Sequence, residues 1–307
     1  MKNHFHRFVN YVFFSNIFLG IIAVMLSIET NVTAGISLNY FPFYIVIFLG
    51  TSIYYTQIYV RSVNARHATD RTLWYRTNMP FIQKTIRLVF IGLIIFTVVI
   101  IVRNWQRLLL LTAAQWLLMA LFPLLTAWYS FPYRFFKIKT IRQSGIVKPF
   151  IIGLNWSGFV TFYPLFIWQL QKGQPAMTPV FPSFFFWLHN FFFISITAII
   201  FDNKDWEIDK TQRLSTFQVV AGIKKTMLFV AIPLLFAGVV SLYIFQAQQQ
   251  FTAFQSIIQL IPYCFLLIAI LQYRKPKTLL YYLAAVDGLL LLKALCGISS
   301  IIFLNKK

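Results

Sequence analysis

Phe201-Asp-Asn-Lys-Asp-Trp-Glu-Ile-Asp-Lys210 closes an apolar segment with three aspartates, in a chain of 307 residues that holds only 7 acidic side chains. On a continuous α-helix, Asp202, Asp205 and Asp209 stand at offsets 0, +3 and +7, within about 60° of arc. Three like charges on one face repel one another unless a cation or a polar substrate sits among them. The plainer alternative is a solvated helix end offset by Lys204, Lys210 and Arg213. Carboxylates close a helix less favourably than they open one, so the ligand reading is preferred.

The rest of the chain sets this cluster in a membrane. It is 59% hydrophobic and 19% aromatic, with 35 Phe and 11% charged residues, whereas soluble domains carry about 25% charged residues. A helix needs about 20 apolar residues to cross a bilayer core. The pattern predicts nine such segments in a single multi-pass domain over 1–307: 8–28, 38–59, 82–102, 108–129, 147–169, 180–201, 226–246, 255–272 and 279–304. Strand-like alternation is absent, so the predicted class is all-α membrane.

The formal charge of +20 follows topology. With the N-terminus in the cytoplasm, the inner connections hold 21 Lys and Arg and the outer ones hold 5, with Lys293 inside the ninth segment. This is the positive-inside pattern. The basic surplus therefore predicts membrane lipids as partners, and no nucleic acid. Cys264 and Cys296 lie in apolar segments, which argues against a disulfide framework. Ser/His/Asp triads, HExxH, P-loops and GxGxxG are not recognisable. A transporter is the rival of another class, but the acidic cluster lies at a helix end and transport sites lie near the midplane.

The second segment carries an echo of the cluster. Gln57, Val60 and Asn64 repeat the 0, +3, +7 spacing 145 residues upstream of Asp202, Asp205 and Asp209. Asp287 and Lys293 lie inside the ninth segment about 120° apart around the helix, where ionisable groups default to functional hypotheses. A hydrogen bond from Asp287 to a neighbouring helix is its blander reading. His189 and Asn190 read as polar glue between helices.

The block from Asp202 to Lys225, with Asp202, Asp205, Asp209, Lys210, Thr216 and Gly222 in register, resembles the second aspartate motif of the UbiA superfamily of intramembrane prenyltransferases. The basic stretch Phe131–Lys139 leading to Lys148 and Asn155 resembles that family's loop between its fourth and fifth helices. The resemblance implies a UbiA-like bundle of nine transmembrane helices with a cytoplasmic N-terminus, in the bacterial inner membrane, its polar site facing the cytoplasm. It implies transfer of a polyprenyl group from a prenyl diphosphate to a lipid-soluble, aromatic acceptor. It also implies Mg²⁺ held by Asp202, Asp205 and Asp209; Arg61, Arg66, Arg71, Lys148 and Lys210 are the candidate cations for the diphosphate. The chemistry is coherent, because Mg²⁺ takes a few carboxylates together with phosphate oxygens and water.

The first motif departs from the family. Its positions read Thr56, Gln57, Val60 and Asn64, with no carboxylate. Two readings stay open. In one, a single metal at the second motif suffices and Arg61, Arg66 and Arg71 neutralise part of the diphosphate. In the other, the chain is a non-catalytic protein that binds isoprenoid or lipid.

Overall fold

The computed structural model describes residues 9–63, 70–130, 145–173, 184–274 and 277–302. These form helices joined by short connections, and no strand occurs among them. We label α1 Ile17–Thr33, α2 Phe41–Ser62, α3 Asp70–Thr77, α4 Met79–Arg103, α5 Ala113–Ser130 and α6 Lys148–Lys172. They are followed by α7 Phe184–Asp202, α8 Ile232–Gln248, α9 Ala253–Leu271 and α10 Asp287–Ile302.

Seven of the described helical stretches are long and apolar enough to cross a membrane, so the chain is an integral multi-pass membrane protein. The shorter apolar helices α1 and α5 stand at the positions predicted for the first and fourth segments. Several limits shift. The hydrophobic run predicts an end at 28 for the first segment, but α1 runs on to Thr33 and takes Glu29 into the protein. The fourth segment is predicted from 108, but Trp105–Leu108 is a separate turn and α5 begins at Ala113, capped by the Gln115 side chain on the Thr112 amide.

Six helices close a ring in the order α1, α6, α7, α8, α9, α10, with α10 packed back on α1. Outside it, α2 lies on α1 and α4 lies on α2. Burial follows that order. Phe186, Phe193, Ile196 and Ile199 of α7 are fully enclosed, whereas α4 presents Leu88, Phe90, Ile91, Ile94 and Ile95 outward. Lipid tails are as apolar as leucine, so these helices associate by close packing of small residues and by polar contacts.

Gly153 makes the α6–α7 seam. A Cβ there would lie 2.0 Å from Ser195 Oγ and 3.0 Å from the Phe191 carbonyl oxygen. The Gly153→Val protein is expected to lose about 1–3 kcal/mol of stability from overpacking, read as a lower thermal midpoint by intrinsic fluorescence. Gly288→Ala, where a Cβ meets nothing within 4 Å, is the control and should not lower it.

Two polar assemblies fix the ring. At one end, Asn16 breaks the first helical stretch with φ 63° and ψ 17°. The break frees backbone carbonyls. Arg71 Nη2 donates to the Phe14 carbonyl at 2.9 Å and to Asn16 Oδ1 at 2.6 Å, and the Tyr75 hydroxyl donates to the same Phe14 carbonyl at 2.8 Å. Asn16 Nδ2 donates to Thr56 Oγ1 at 3.0 Å, tying α3 and α2 to the break. Deeper in the ring, Lys293 Nζ on α10 donates to both oxygens of Glu29 on α1 at 2.8 and 2.9 Å. Both side chains are 4% exposed. Gly297 leaves room for that carboxylate, since a Cβ there would lie 2.3 Å from Glu29 Oε1. Asp287 and Lys293, six residues apart, make no pair.

Candidate functional site

The acidic run does not continue α7 as one α-helix. The α-helix ends at Asp202, Asn203–Asp205 is a 3-10 turn, and α-helical turns resume over Trp206–Thr211. The stretch that carries Asp202, Asp205 and Asp209 is therefore not one continuous α-helix, because the 3-10 turn winds more tightly than the turns on either side of it. The chain then folds back along α7. Trp206 Nε1 donates to the Gln218 carbonyl at 3.0 Å, and the buried Gln218 side chain donates to the Ile199 carbonyl at 2.6 Å. Thr216 caps Phe217–Ala221, and Gly222 takes φ 83° before the next helix starts at Ile223.

Each aspartate has its own setting. Asp202 is buried at the end of α7, and its Oδ1 accepts from Lys148 Nζ at 2.5 Å. Lys148 is the first residue of α6, so the Gly153 seam between α6 and α7 brings this pair together. Asp205 is half-buried and accepts from its neighbour Lys204 at 2.8 Å. The Lys204 ammonium also lies 4.6 Å from the centre of the Phe201 ring. Asp209 is buried. The Oδ2 atoms of Asp202 and Asp209 and the Oδ1 of Asn203 are enclosed without a hydrogen-bond partner. Two carboxylate oxygens left in this state call for a donor or a cation.

The other expected residues are spread more widely. Arg71 is 2% exposed and caps the Asn16 break, with its guanidinium carbon 3.7 Å from the Tyr59 ring centre. Thr56 belongs to the same assembly. Arg61 is exposed at the end of α2, with Gln57 and Val60 part-buried beside it. Lys210 is exposed, 5.4 Å from the Trp206 ring centre. Asn64, Arg66 and the basic stretch 131–139 lie outside the described residues.

The sequence gives no warning of several other groups in this region. Trp156 Nε1 on α6 donates to the Tyr55 hydroxyl on α2 at 2.6 Å, and Phe201 meets Tyr282 edge-on at 5.7 Å. Asp287, which the sequence does single out, is buried at the first residue of α10. Tyr55 lies only two residues before Gln57 in the sequence, but its contact with α6 has no signature there. His189 and Asn190 are interhelical glue as expected: His189 Nδ1 lies 3.2 Å from the Tyr263 hydroxyl, and Asn190 Nδ2 donates to Thr161 at 3.1 Å.

Among the described residues, no group of three or more His, Cys, Asp or Glu is gathered as a metal cage. The donor chemistry fits a narrower arrangement. Mg²⁺ takes one or two carboxylates with water and substrate phosphate supplying the remainder, and the unpartnered oxygens of Asp202 and Asp209 are of that donor type.

No family model and no curated protein matches the chain. Among solved structures, that of a digeranylgeranylglyceryl phosphate synthase in membranes matches 96% of this chain and 98% of its own, with a TM-score of 0.56 and 16% identity. The likeness is one of fold. The chain shares the overall architecture of that synthase along nearly its whole length.

Proposed function

We propose that this chain transfers a polyprenyl group from a prenyl diphosphate to a lipid-soluble, aromatic acceptor within the membrane. The observation that carries the proposal is the pairing of Lys148 with Asp202 beside the enclosed, unpartnered oxygens of Asp202 and Asp209, at the end of α7 within the helix ring. A fold shared along nearly the whole chain with a prenyl-handling synthase supports it.

Asp202 and Asp209 would hold Mg²⁺, with Asp205 able to join them by releasing Lys204. When bound, such a cation supplies neutralisation of the charge that develops on a leaving diphosphate. Lys148 and Lys204 are the protein's own cations at the site, placed for the outer phosphate oxygens. Arg61 and Lys210 are exposed and would meet the diphosphate from the water side, while Arg71 is held by the Asn16 break. The prenyl C–O bond breaks with its electron pair leaving on the diphosphate. The acceptor carbon or oxygen forms the new bond to the allylic carbon and gives up its proton to the released diphosphate. The apolar ring keeps water from competing with the acceptor. It also favours the tail by about 0.8 kcal/mol per buried CH₂. The distribution of Lys and Arg favours the cytoplasmic side for this end of the bundle.

Purified protein incubated with farnesyl or geranylgeranyl diphosphate, Mg²⁺ and a panel of aromatic and lipid alcohol acceptors should release diphosphate and yield prenylated product. Absence of turnover with both donors across the panel overturns this reading. It then favours a second one, a non-catalytic protein that binds isoprenoid or lipid. The observation favouring that second reading is that Thr56 is tied to the Asn16 break and no carboxylate stands at Gln57 or Val60.

A further inference from the structure

The end of the bundle opposite the acidic cluster carries few cations, yet those described there meet in one place. Lys148 and Lys172 are the two ends of α6, about 36 Å apart at 1.5 Å per residue. Beside Lys172 lies a groove of about 800 Å³ whose lining includes Arg103, Arg107, Lys172, Trp105 and Gln106, and no carboxylate. Arg103, Arg107 and Lys172 come from three separate elements: the last turn of α4, the Trp105–Leu108 turn and the last turn of α6. The positive-inside rule gives no reason for cations to converge on this side.

The groove is built and not merely charged. Arg107 Nη1 donates to the Leu170 carbonyl at 2.5 Å and also to the Gln171 carbonyl, capping the end of α6. Gly173 turns away at φ 67° and admits the guanidinium, since a Cβ there would lie 3.3 Å from Arg107 Cζ. Arg103 is held 5.2 Å from the Tyr40 ring centre, and Asn104 Nδ2 donates to the Tyr40 hydroxyl at 2.7 Å. The groove is also apolar on one flank. Leu38, Val102 and Trp105 of its lining are exposed, as are Leu109 and Leu110 just beyond. Tryptophan with arginine at a helix end is the composition of the headgroup level of a bilayer. Guanidinium groups match phosphate oxygens through their paired N–H donors. A free phosphate has no use for an exposed apolar flank; a phosphate carrying acyl chains does.

We propose that this groove binds the phosphate of an anionic phospholipid, with its acyl chains lying along the Val102, Leu109 and Leu110 flank. The site is separate from the Asp202 cluster and does not depend on the chemistry proposed there. The test is native mass spectrometry of the purified chain titrated with phosphatidylglycerol or phosphatidylcholine of identical acyl chains, with inorganic phosphate as competitor. Phosphatidylglycerol should be retained several-fold better than phosphatidylcholine. The Arg103→Ala/Lys172→Ala protein should lose that several-fold preference and retain the two lipids about equally, as removal of two surface cations near a lipid headgroup implies. Lys172→Arg should keep the preference, as should Lys224→Ala/Lys225→Ala at the other end of the bundle. If the double variant does not fold, Lys172→Ala alone, at an exposed helix end, reads the same loss at smaller amplitude. Equal retention of the two lipids, or full retention by the double variant, overturns the proposal. Displacement of the lipid by millimolar inorganic phosphate overturns it too, by making the groove a site for a free anion.

Discussion

Asp209→Asn is expected to lower Mg²⁺-dependent diphosphate release by at least about 100-fold, the cost typical of removing one charge stabiliser aimed at a transition state. Its thermal midpoint should be unchanged or slightly higher. The substitution keeps the shape of the side chain and removes one of three neighbouring negative charges, so folding loses no partner: the Oδ2 of Asp209 has none. Asp202→Asn is less informative, because it also leaves the Lys148 ammonium without the anion that faces it at 2.5 Å. A binding readout separates chemistry from capture. Mg²⁺ with inorganic diphosphate should raise the thermal midpoint of the unaltered protein, since a ligand that binds only the folded state stabilises it. Asp209→Asn should abolish that rise. A variant with undiminished turnover and an undiminished rise removes Asp209 from the site.

Lys293→Met is expected to destabilise the protein by about 3–5 kcal/mol, the usual cost of leaving one member of a buried ion pair without its partner. Glu29 would then be enclosed at 4% exposure, with the Gly297 backbone closing over it. Because α10 and α1 close the helix ring, the loss should appear as global unfolding at lower temperature and not as local fraying. Glu29→Gln should show a loss of the same sign. The Glu29→Gln/Lys293→Met protein should recover most of the stability, because a neutral pair of similar volume needs no compensation for buried charge. Thermal unfolding in detergent followed by intrinsic fluorescence measures all three. Losses that simply add in the double variant would show that the two side chains act independently.

The class of the molecule is legible because membrane helices announce themselves by length and composition, and the 202–222 block is enough to point to the fold that the solved synthase shares. The polar glue at His189 and Asn190 is also legible, since polar side chains in apolar helices have few other uses. Other features are hidden. Glu29 stands one residue past the predicted end of the first segment, and only its pairing with Lys293, 264 residues away, shows that it is interior. Arg71 carries a charge suited to a diphosphate, but the break at Asn16 supplies carbonyls that claim its guanidinium. No local pattern distinguishes a basic residue that caps a helix end from one that waits for a substrate.

Composition and hydrophobic run length alone determined that this chain folds as an α-helical bundle in a membrane, and motif spacing alone determined which of its few carboxylates to suspect. Both are one-dimensional properties: a helix must satisfy its own backbone in lipid, and a cluster of charges in sequence remains a cluster in space. The tertiary structure decided how that cluster is used. The 3-10 turn at Asn203–Asp205 interrupted the helix that carries the cluster, and the α6–α7 seam at Gly153 set Lys148 against Asp202. Which carboxylate oxygens are neutralised and which stay open depends on helices that are neighbours in space and far apart in the chain. That is why the site's residue types were readable from the sequence and its charge arrangement was not.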